Sequence, residues 1–431
     1  MLIFANVKRI LSISVIVAAL LSAVSCNLLG SDPVPEPSTN QFSRVAIMYS
    51  IGFNSLSSWL ADDNETMIGS AEDGYLPPKG SNRAMILVTH GTEGNRTSST
   101  AFRWPTNPYV IRVTRDHLGR PVCDTLLTLD TGKYLTVPDV MNEVLGYVQS
   151  HYPADSYGLV LSSHGSGWLP KGYYEQENPP TKSFGQELHT EGNQNLSYEM
   201  TLQELHDGIP SSMHLDYILM DACLMGGIET AFELRDKTDF IGFSQAEILA
   251  DGFDYSKLMY HLLVESPMNP QAACEDYFNK CQADKSTLYR SATISYIDCT
   301  RLDPLADVCK VLFDKYRPEM DALYDGISKW ELDNMDAGEE PVQGFFRFHK
   351  HWYYDLEDIL VKSGISTGEQ ADLKEALDAC VLYKAATERL FDDFDVHSFC
   401  GFSMYLPCRG NYYLNERYKN LKWNSATGLV K

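Results

Sequence analysis

The sequence predicts an α/β fold: a mostly parallel sheet flanked by helices, with an additional, largely helical carboxyl-terminal region. Three observations carry that prediction. Short apolar runs at residues 157–163 and 215–222 are bounded by turn-forming residues, as in strands buried on both faces. Stretches of helical periodicity alternate with such runs over the first 255 residues, the pattern of parallel strands joined by crossovers. Beyond residue 255 helical periodicity dominates.

Taken in order, residues 44–50 read as a strand and 55–63 as a helix with Ser55 near its cap. Residues 83–89 form a second apolar strand, and the extended pieces at 110–114 and 124–129 read as a hairpin. Residues 137–151 are amphipathic and open at Pro138, which tolerates the first helical turn because its missing N–H would be unpaired there anyway. The strand at 157–163 delivers His164-Gly165. Residues 165–194, rich in Gly, Pro, Asn and Lys, read as one long loop, and loops of that length are more often functional than structural. A helix at 201–208 precedes the strand at 215–222, which delivers Cys223. Residues 224–235 read as a helix beginning at that cysteine, and 240–244 as another strand. Helical character fills 255–283, 303–332 and 367–391, and only 400–406 returns to strand. No internal repeat is visible.

Two reactive side chains therefore stand at the carboxyl ends of apolar strands, where open α/β sheets place their sites. A free cysteine is mostly protonated at neutral pH, and the thiolate is the nucleophile. A neighbouring imidazolium stabilises it and later protonates the leaving amine. The separation, 223 − 164 = 59 residues, accommodates a loop, a helix and the next strand, so the two strand ends can lie side by side. His90 competes for the role, because residues 84–89 form a second apolar strand ending in His90-Gly91. His164 is favoured because its strand leads to the cysteine strand through one crossover; His90 reads as a residue at a loop start or in a cleft wall.

The blocks Ser162-Ser163-His164-Gly165-Ser166-Gly167-Trp168 and Ile218-Leu219-Met220-Asp221-Ala222-Cys223 resemble the clostripain family of cysteine peptidases, relatives of the caspases and gingipains. The resemblance runs from about Arg44 to the carboxyl end and takes in Gly242-Phe243-Ser244-Gln245-Ala246-Glu247 and Gly252-Phe253-Asp254-Tyr255. It implies a caspase-like fold with residues 43–255 as the catalytic core and 256–431 as the helical carboxyl-terminal region. It also implies a secreted endopeptidase that cleaves after Arg or Lys through an acyl-enzyme thioester on the His164–Cys223 dyad. In the family, acids that receive the basic side chain lie just before the cysteine and on the loop after the next strand. Asp221 and Asp251 match those positions; the alternatives are an inward structural acid at 221 and a turn cap beside Gly252 at 251. Relatives made as zymogens cut themselves between the histidine and the cysteine, and Lys171 and Lys182 offer basic sites there, or are plain surface lysines. Calcium occurs in parts of the family, but no Asp-x-Asp-x-Asp-Gly ligand loop is present, and no metal site or cofactor is expected.

If a helix begins at Cys223, its unpaired N–H groups and macrodipole favour the thiolate, and the Cys223 and Gly165 amides are candidates for an oxyanion hole. A side chain at 165 would crowd the substrate carbonyl.

The formal charge of −23 excludes a basic nucleic-acid-binding face, and 44% apolar residues suffice for a large core. Residues 1–26 read as a targeting segment. Lys8-Arg9 precede an apolar run from Ile10 to Leu21, and Ala23-Val24-Ser25 lead to Cys26, as in a bacterial lipoprotein signal. Lipidation of Cys26 would anchor the exported chain to a membrane through the Pro/Ser-rich tether of residues 27–42; an ordinary cleaved signal would secrete it. Apart from Cys26 and Cys223, eight cysteines remain, an even number without a compact framework, so disulfides and buried free thiols stay open. A monomer is expected, with Arg/Lys-containing polypeptides as partners. From another class, the alternative is a catalytically inactive surface-binding protein on the same fold; transpeptidation on the same dyad is a third reading.

Overall fold

Strand β1 (Arg44–Ser50) shows how alternation builds two cores: Val45, Ile47 and Tyr49 face one, Ala46 and Met48 the other. The computed structural model describes residues 41–70, 73–93, 104–130, 132–171, 184–191, 194–332, 341–346, 352–407 and 411–431. The targeting segment with Cys26, most of the tether, Lys182 and Cys408 lie outside the described residues.

The remaining strands are β2 (Arg83–Glu93), β3 (Trp104–Arg115), β4 (Pro121–Thr128), β5 (Tyr157–Ser162), β6 (Phe184–Glu191), β7 (Gln194–Met200), β8 (Leu215–Asp221), β9 (Thr238–Phe243), β10 (Thr293–Asp298), β11 (Tyr354–Asp355), β12 (Val381–Ala386), β13 (Arg389–Leu390), β14 (Phe394–Asp395) and β15 (Ser403–Met404). Nine of them form one sheet in the order β12-β10-β9-β8-β5-β1-β2-β3-β4. The central five, β9-β8-β5-β1-β2, are parallel, and an antiparallel pair closes each side. The α/β class and the mostly parallel sheet are thus as the sequence predicts.

Helices cover both faces. On one lie α1 (Ser57–Gly69), a π-helical turn at Tyr260–Val264, and, after α2 (Pro138–His151), α3 (Leu202–Gly208) and α4 (Ile228–Leu234) on the opposite face, α5 (Pro270–Gln282). The opposite face continues with α6 (Leu302–Lys315), α7 (Arg317–Leu332), α8 (Leu356–Lys362), α9 (Thr367–Cys380), α10 (Tyr412–Tyr418) and α11 (Lys422–Thr427). Among the described residues no helix is long and apolar enough to cross a membrane.

Several elements differ from the sequence reading. The stretch read as a loop through residue 194 contains β6, which pairs with β7 in a separate hairpin. Its inward residues include the buried polar Gln186 and Glu187, so no apolar alternation announces it. The helix expected at residue 224 starts at Ile228, because Leu224 takes a left-handed φ of 61° and residues 224–226 hydrogen-bond to Ser244 and Ala246. The helix expected through 391 ends at Cys380 and yields to β12, whose backbone pairs with β10. Both of these strands extend the main sheet. The late strand at 400–406 shrinks to β15, which pairs with β11 outside it. Of the cysteines in the described residues, Cys274, Cys281, Cys299, Cys309, Cys380 and Cys400 are buried free thiols, as the buried-thiol reading has it, while Cys123 and Cys223 are free and half-buried.

The carboxyl-terminal region is fastened to the sheet through a buried acid. On α4, the Glu229 carboxylate accepts from the Tyr405 amide at 2.9 Å and the Tyr418 hydroxyl at 2.6 Å, and burial pushes its pKa up to about 7. Because the folded value lies above the unfolded one, the neutral form is favoured in the fold. Its contribution is present at low pH and lost as pH rises towards about 7. Urea unfolding is expected to show wild-type stability falling by on the order of 2 kcal/mol more than that of Glu229→Gln between pH 5 and pH 8.

Candidate active site

Parallel pairing of β5 with β8 aligns Ser162 with Asp221, and the Ser163 amide donates to the Asp221 carbonyl at 3.3 Å. His164 and Cys223, each two residues beyond that register, consequently leave neighbouring strand ends on the same side. Both line one cleft of about 380 Å³. Gly165 makes the approach possible: a Cβ there would lie 2.7 Å from the Cys223 carbonyl oxygen and 3.1 Å from the Ala222 Cβ. The fold itself thus selects glycine at 165.

The histidine is held from the loop ahead of α1. Ser55 Oγ lies 3.0 Å from His164 Nε2. Asn54 fixes that loop: its Nδ2 donates to the carbonyls of Ile51 at 3.1 Å and Gln186 at 2.8 Å, and its Oδ1 accepts the Leu56 amide at 2.8 Å. On the other side, the Ile248 amide donates to Cys223 Sγ at 3.3 Å, and the thiol reaches back to the Ile248 carbonyl at 3.5 Å. Because α4 begins five residues past the cysteine, the helix that follows the β8 strand does not start at the sulfur. The Ile248 N–H supplies instead the polar donor that the sequence reading had assigned to a macrodipole.

Three acids line the cleft beside the pair, Asp221, Asp63 and, next to Ile248, Glu247. Asp221 is buried and well satisfied: Tyr255 donates a short hydrogen bond to Oδ2, Ser162 Oγ lies 3.4 Å away, and the Phe253 amide also donates. Burial nevertheless raises its pKa. Gly252, at φ 51°, passes so close that a Cβ there would sit 2.3 Å from Asp221 Oδ2. Lys280 on α5 holds this passing strand by donating to the carbonyls of Asp251, Gly252 and Phe253.

Asp251, expected beside Asp221, is exposed and lines a smaller neighbouring pocket with Lys280 and Asp284. Asp63 was not singled out in the sequence. A signal existed, since Leu56, Leu60 and Asp63 are spaced i, i+4, i+7 and all three line the cleft. Its carboxyl is pushed up to about 9, first by burial and then by the Asp221 charge. Ser55, Asn54 and Ile248 were likewise missed as supports: their roles depend on loop geometry that no local pattern encodes.

His90 lies on β2 with its Nε2 2.9 Å from the buried Glu187 carboxylate, which also accepts from Thr136. It is not among the residues lining the cleft. Lys171 reaches Glu204 on α3 with Nζ 2.5 Å from the carboxylate. Among the described residues, no group of three or more His, Cys, Asp or Glu side chains could hold a metal.

The carboxyl-terminal region braces both reactive loops. Trp168, four residues past His164, packs its ring 4.5 Å from that of Tyr405 and 5.0 Å from that of Tyr418, and donates to the Trp352 carbonyl. Tyr353 donates to the Ser166 carbonyl, and the Ser403 amide to the Gly226 carbonyl at 2.9 Å.

The profile of the clostripain family, peptidase C11, matches residues 49–426. Clostripain of Hathewaya histolytica is 28% identical over 130 residues, which are 28% of this chain and 23% of clostripain, so the match spans under a quarter of that relative. An inactive zymogen C11 protease from Parabacteroides distasonis superposes with a TM-score of 0.69 at 24% identity, covering 90% of this chain and 99% of the other. Two structures of a secreted C11 cysteine protease from Bacteroides thetaiotaomicron give TM-scores of 0.67 and 0.66 at 21% and 24% identity. They cover 90% and 89% of this chain and 99% and 98% of theirs, and the second carries an irreversible peptide inhibitor.

The packing of Gly165 against Cys223 carries a direct test. Gly165→Ala must push the histidine loop off the cysteine loop, and thermal denaturation is expected to show a loss of roughly 1–3 kcal/mol, the usual range for overpacking.

Proposed function

The chain belongs to the clostripain family of cysteine peptidases, and we propose that it is an exported endopeptidase hydrolysing peptide bonds after Arg or Lys, with His164 and Cys223 as its catalytic dyad. The observation that carries this reading is the shared cleft, with the two side chains leaving adjacent parallel strand ends and buried carboxylate beside them.

With Nε2 engaged by Ser55, His164 turns Nδ1 to the Cys223 thiol and takes its proton. The thiolate, supported by the Ile248 amide, attacks the scissile carbonyl. The Cys223 and Gly165 amides hold the oxyanion, the imidazolium protonates the departing amine, and the C–N bond breaks to leave a thioester. Water, deprotonated by the same imidazole, then attacks the thioester carbonyl; the C–S bond breaks, releasing the carboxylic acid and the free thiol. Asp221 favours a cationic side chain before the scissile bond through the charge that its carboxylate develops in the cleft. Asp251, one shell further out, adds to the negative field.

Self-cleavage after Lys171 or Lys182 would activate the enzyme, the two pieces remaining joined through the sheet. Lipidation at Cys26 would tether it to the membrane. One relative was solved as an inactive zymogen and another is described as secreted, which supports this reading of maturation and export.

Fluorogenic peptides ending in Arg or Lys are expected to be cleaved and those ending in Asp or Leu to be poor substrates. Cys223→Ala and His164→Ala should each lower kcat by at least about a thousandfold. An Arg chloromethylketone should label Cys223; failure to label a folded, processed protein would support the inactive binding protein instead. Ser55→Ala should reduce kcat by about two- to tenfold, the worth of one hydrogen bond, with KM little changed.

A further inference from the structure

Resting on the reading of this cleft as a site for basic side chains, we propose that Asp63 is the residue that pairs directly with the Arg or Lys side chain of the substrate, Asp221 contributing its charge from beneath. Asp221 matches the family position, but most of its roughly four acceptor positions are taken within the fold: Tyr255, Ser162 and the Phe253 amide all donate to it, and Gly252 packs against its carboxylate. Asp63 differs. Its Oδ2 is buried and has no hydrogen-bond partner among the described residues. A buried carboxylate oxygen without a donor costs free energy, and a guanidinium or ammonium entering the cleft supplies that donor.

The surrounding structure holds Asp63 in place for this purpose. Next to it on α1, Asn64 is buried and donates to Ser50 Oγ at 3.3 Å and Thr89 Oγ1 at 3.2 Å, locking the helix onto β1 and β2. One turn earlier on the same face, Leu60 lines the cleft, and Leu249 and Ala250 contribute further apolar lining. Those surfaces suit the methylene stem of a long basic side chain whose charged tip reaches an acid.

Several charges act on Asp63: Asp62 from its own helix, Asp221 from β8, Asp251 from the loop after β9 and Lys280 from α5, with Tyr255 facing the same group. Burial first, and then the Asp221 charge, push the carboxyl up to about 9, which favours its protonated form. An arriving cation displaces that proton to solvent, so discrimination in favour of basic substrates strengthens as pH rises from 6 to 9.

The test compares kcat/KM for peptide substrates ending in Arg or Lys with that for the same peptides ending in Leu, in wild type and Asp63→Asn, at pH 6, 7.5 and 9. The ratio is internal to each sample and so does not depend on how much enzyme has matured. A fall in the Arg/Leu and Lys/Leu ratios of tenfold or more, together with loss of their rise with pH, is the expected result. Ratios within twofold of wild type, still climbing with pH, overturn the role of Asp63. Should Asn at 63 prevent folding, Asp63→Ser removes the same charge and carries the same two outcomes. A wild-type enzyme that shows no preference for basic residues overturns the earlier specificity reading and this one with it; a preference that survives undiminished in the variants overturns this one alone.

Discussion

Everything at the site follows from the register of two parallel strands. Pairing Ser162 with Asp221 brings His164 and Cys223 out side by side, and a slip of one residue would turn one of them to the opposite face. That register is locked by burial: Leu159, Leu161, Ile218 and Met220 enter one core while Val160, Tyr217 and Leu219 enter the other. Gly165 completes the constraint, because only a residue without Cβ lets the two loops touch.

From this frame the electrostatics become intelligible. The sulfur and the imidazole each receive one polar support from a different loop, Ile248 and Ser55, so neither depends on a helix dipole. Beneath them the protein concentrates carboxyl groups where solvent is scarce, and it does so with unequal partners. Asp221 receives several donors from the fold, whereas Asp63 retains an oxygen that the described residues leave without one. Lys280 lies behind the loop and donates its hydrogen bonds to backbone carbonyls rather than to either carboxylate.

The sequence made the parallel sheet and its two adjacent strand ends legible because both are written in local patterns: apolar runs of strand length ending in His164-Gly165 and Cys223. What it concealed was non-local or polar. The hairpin of β6 and β7 buries Gln186 and Glu187, which breaks the alternation by which strands are recognised. The turn after Cys223 carries helix-forming residues but is held out of helix by hydrogen bonds to residues 244 and 246. β12 is short, partly exposed and directly continues a helix, so periodicity alone merged it with α9. Asp63 was hidden differently: its helix was recognised, but which face meets the cleft is settled only by the fold.

The stacking of Trp168 against Tyr405 and Tyr418 has a consequence for biosynthesis. The loop behind His164 finds its backing only in rings that emerge some 240 residues later along the chain (405 − 168 = 237). The order in which the parts are made therefore delays the bracing of the loop behind His164 until residues 405–418 have left the ribosome.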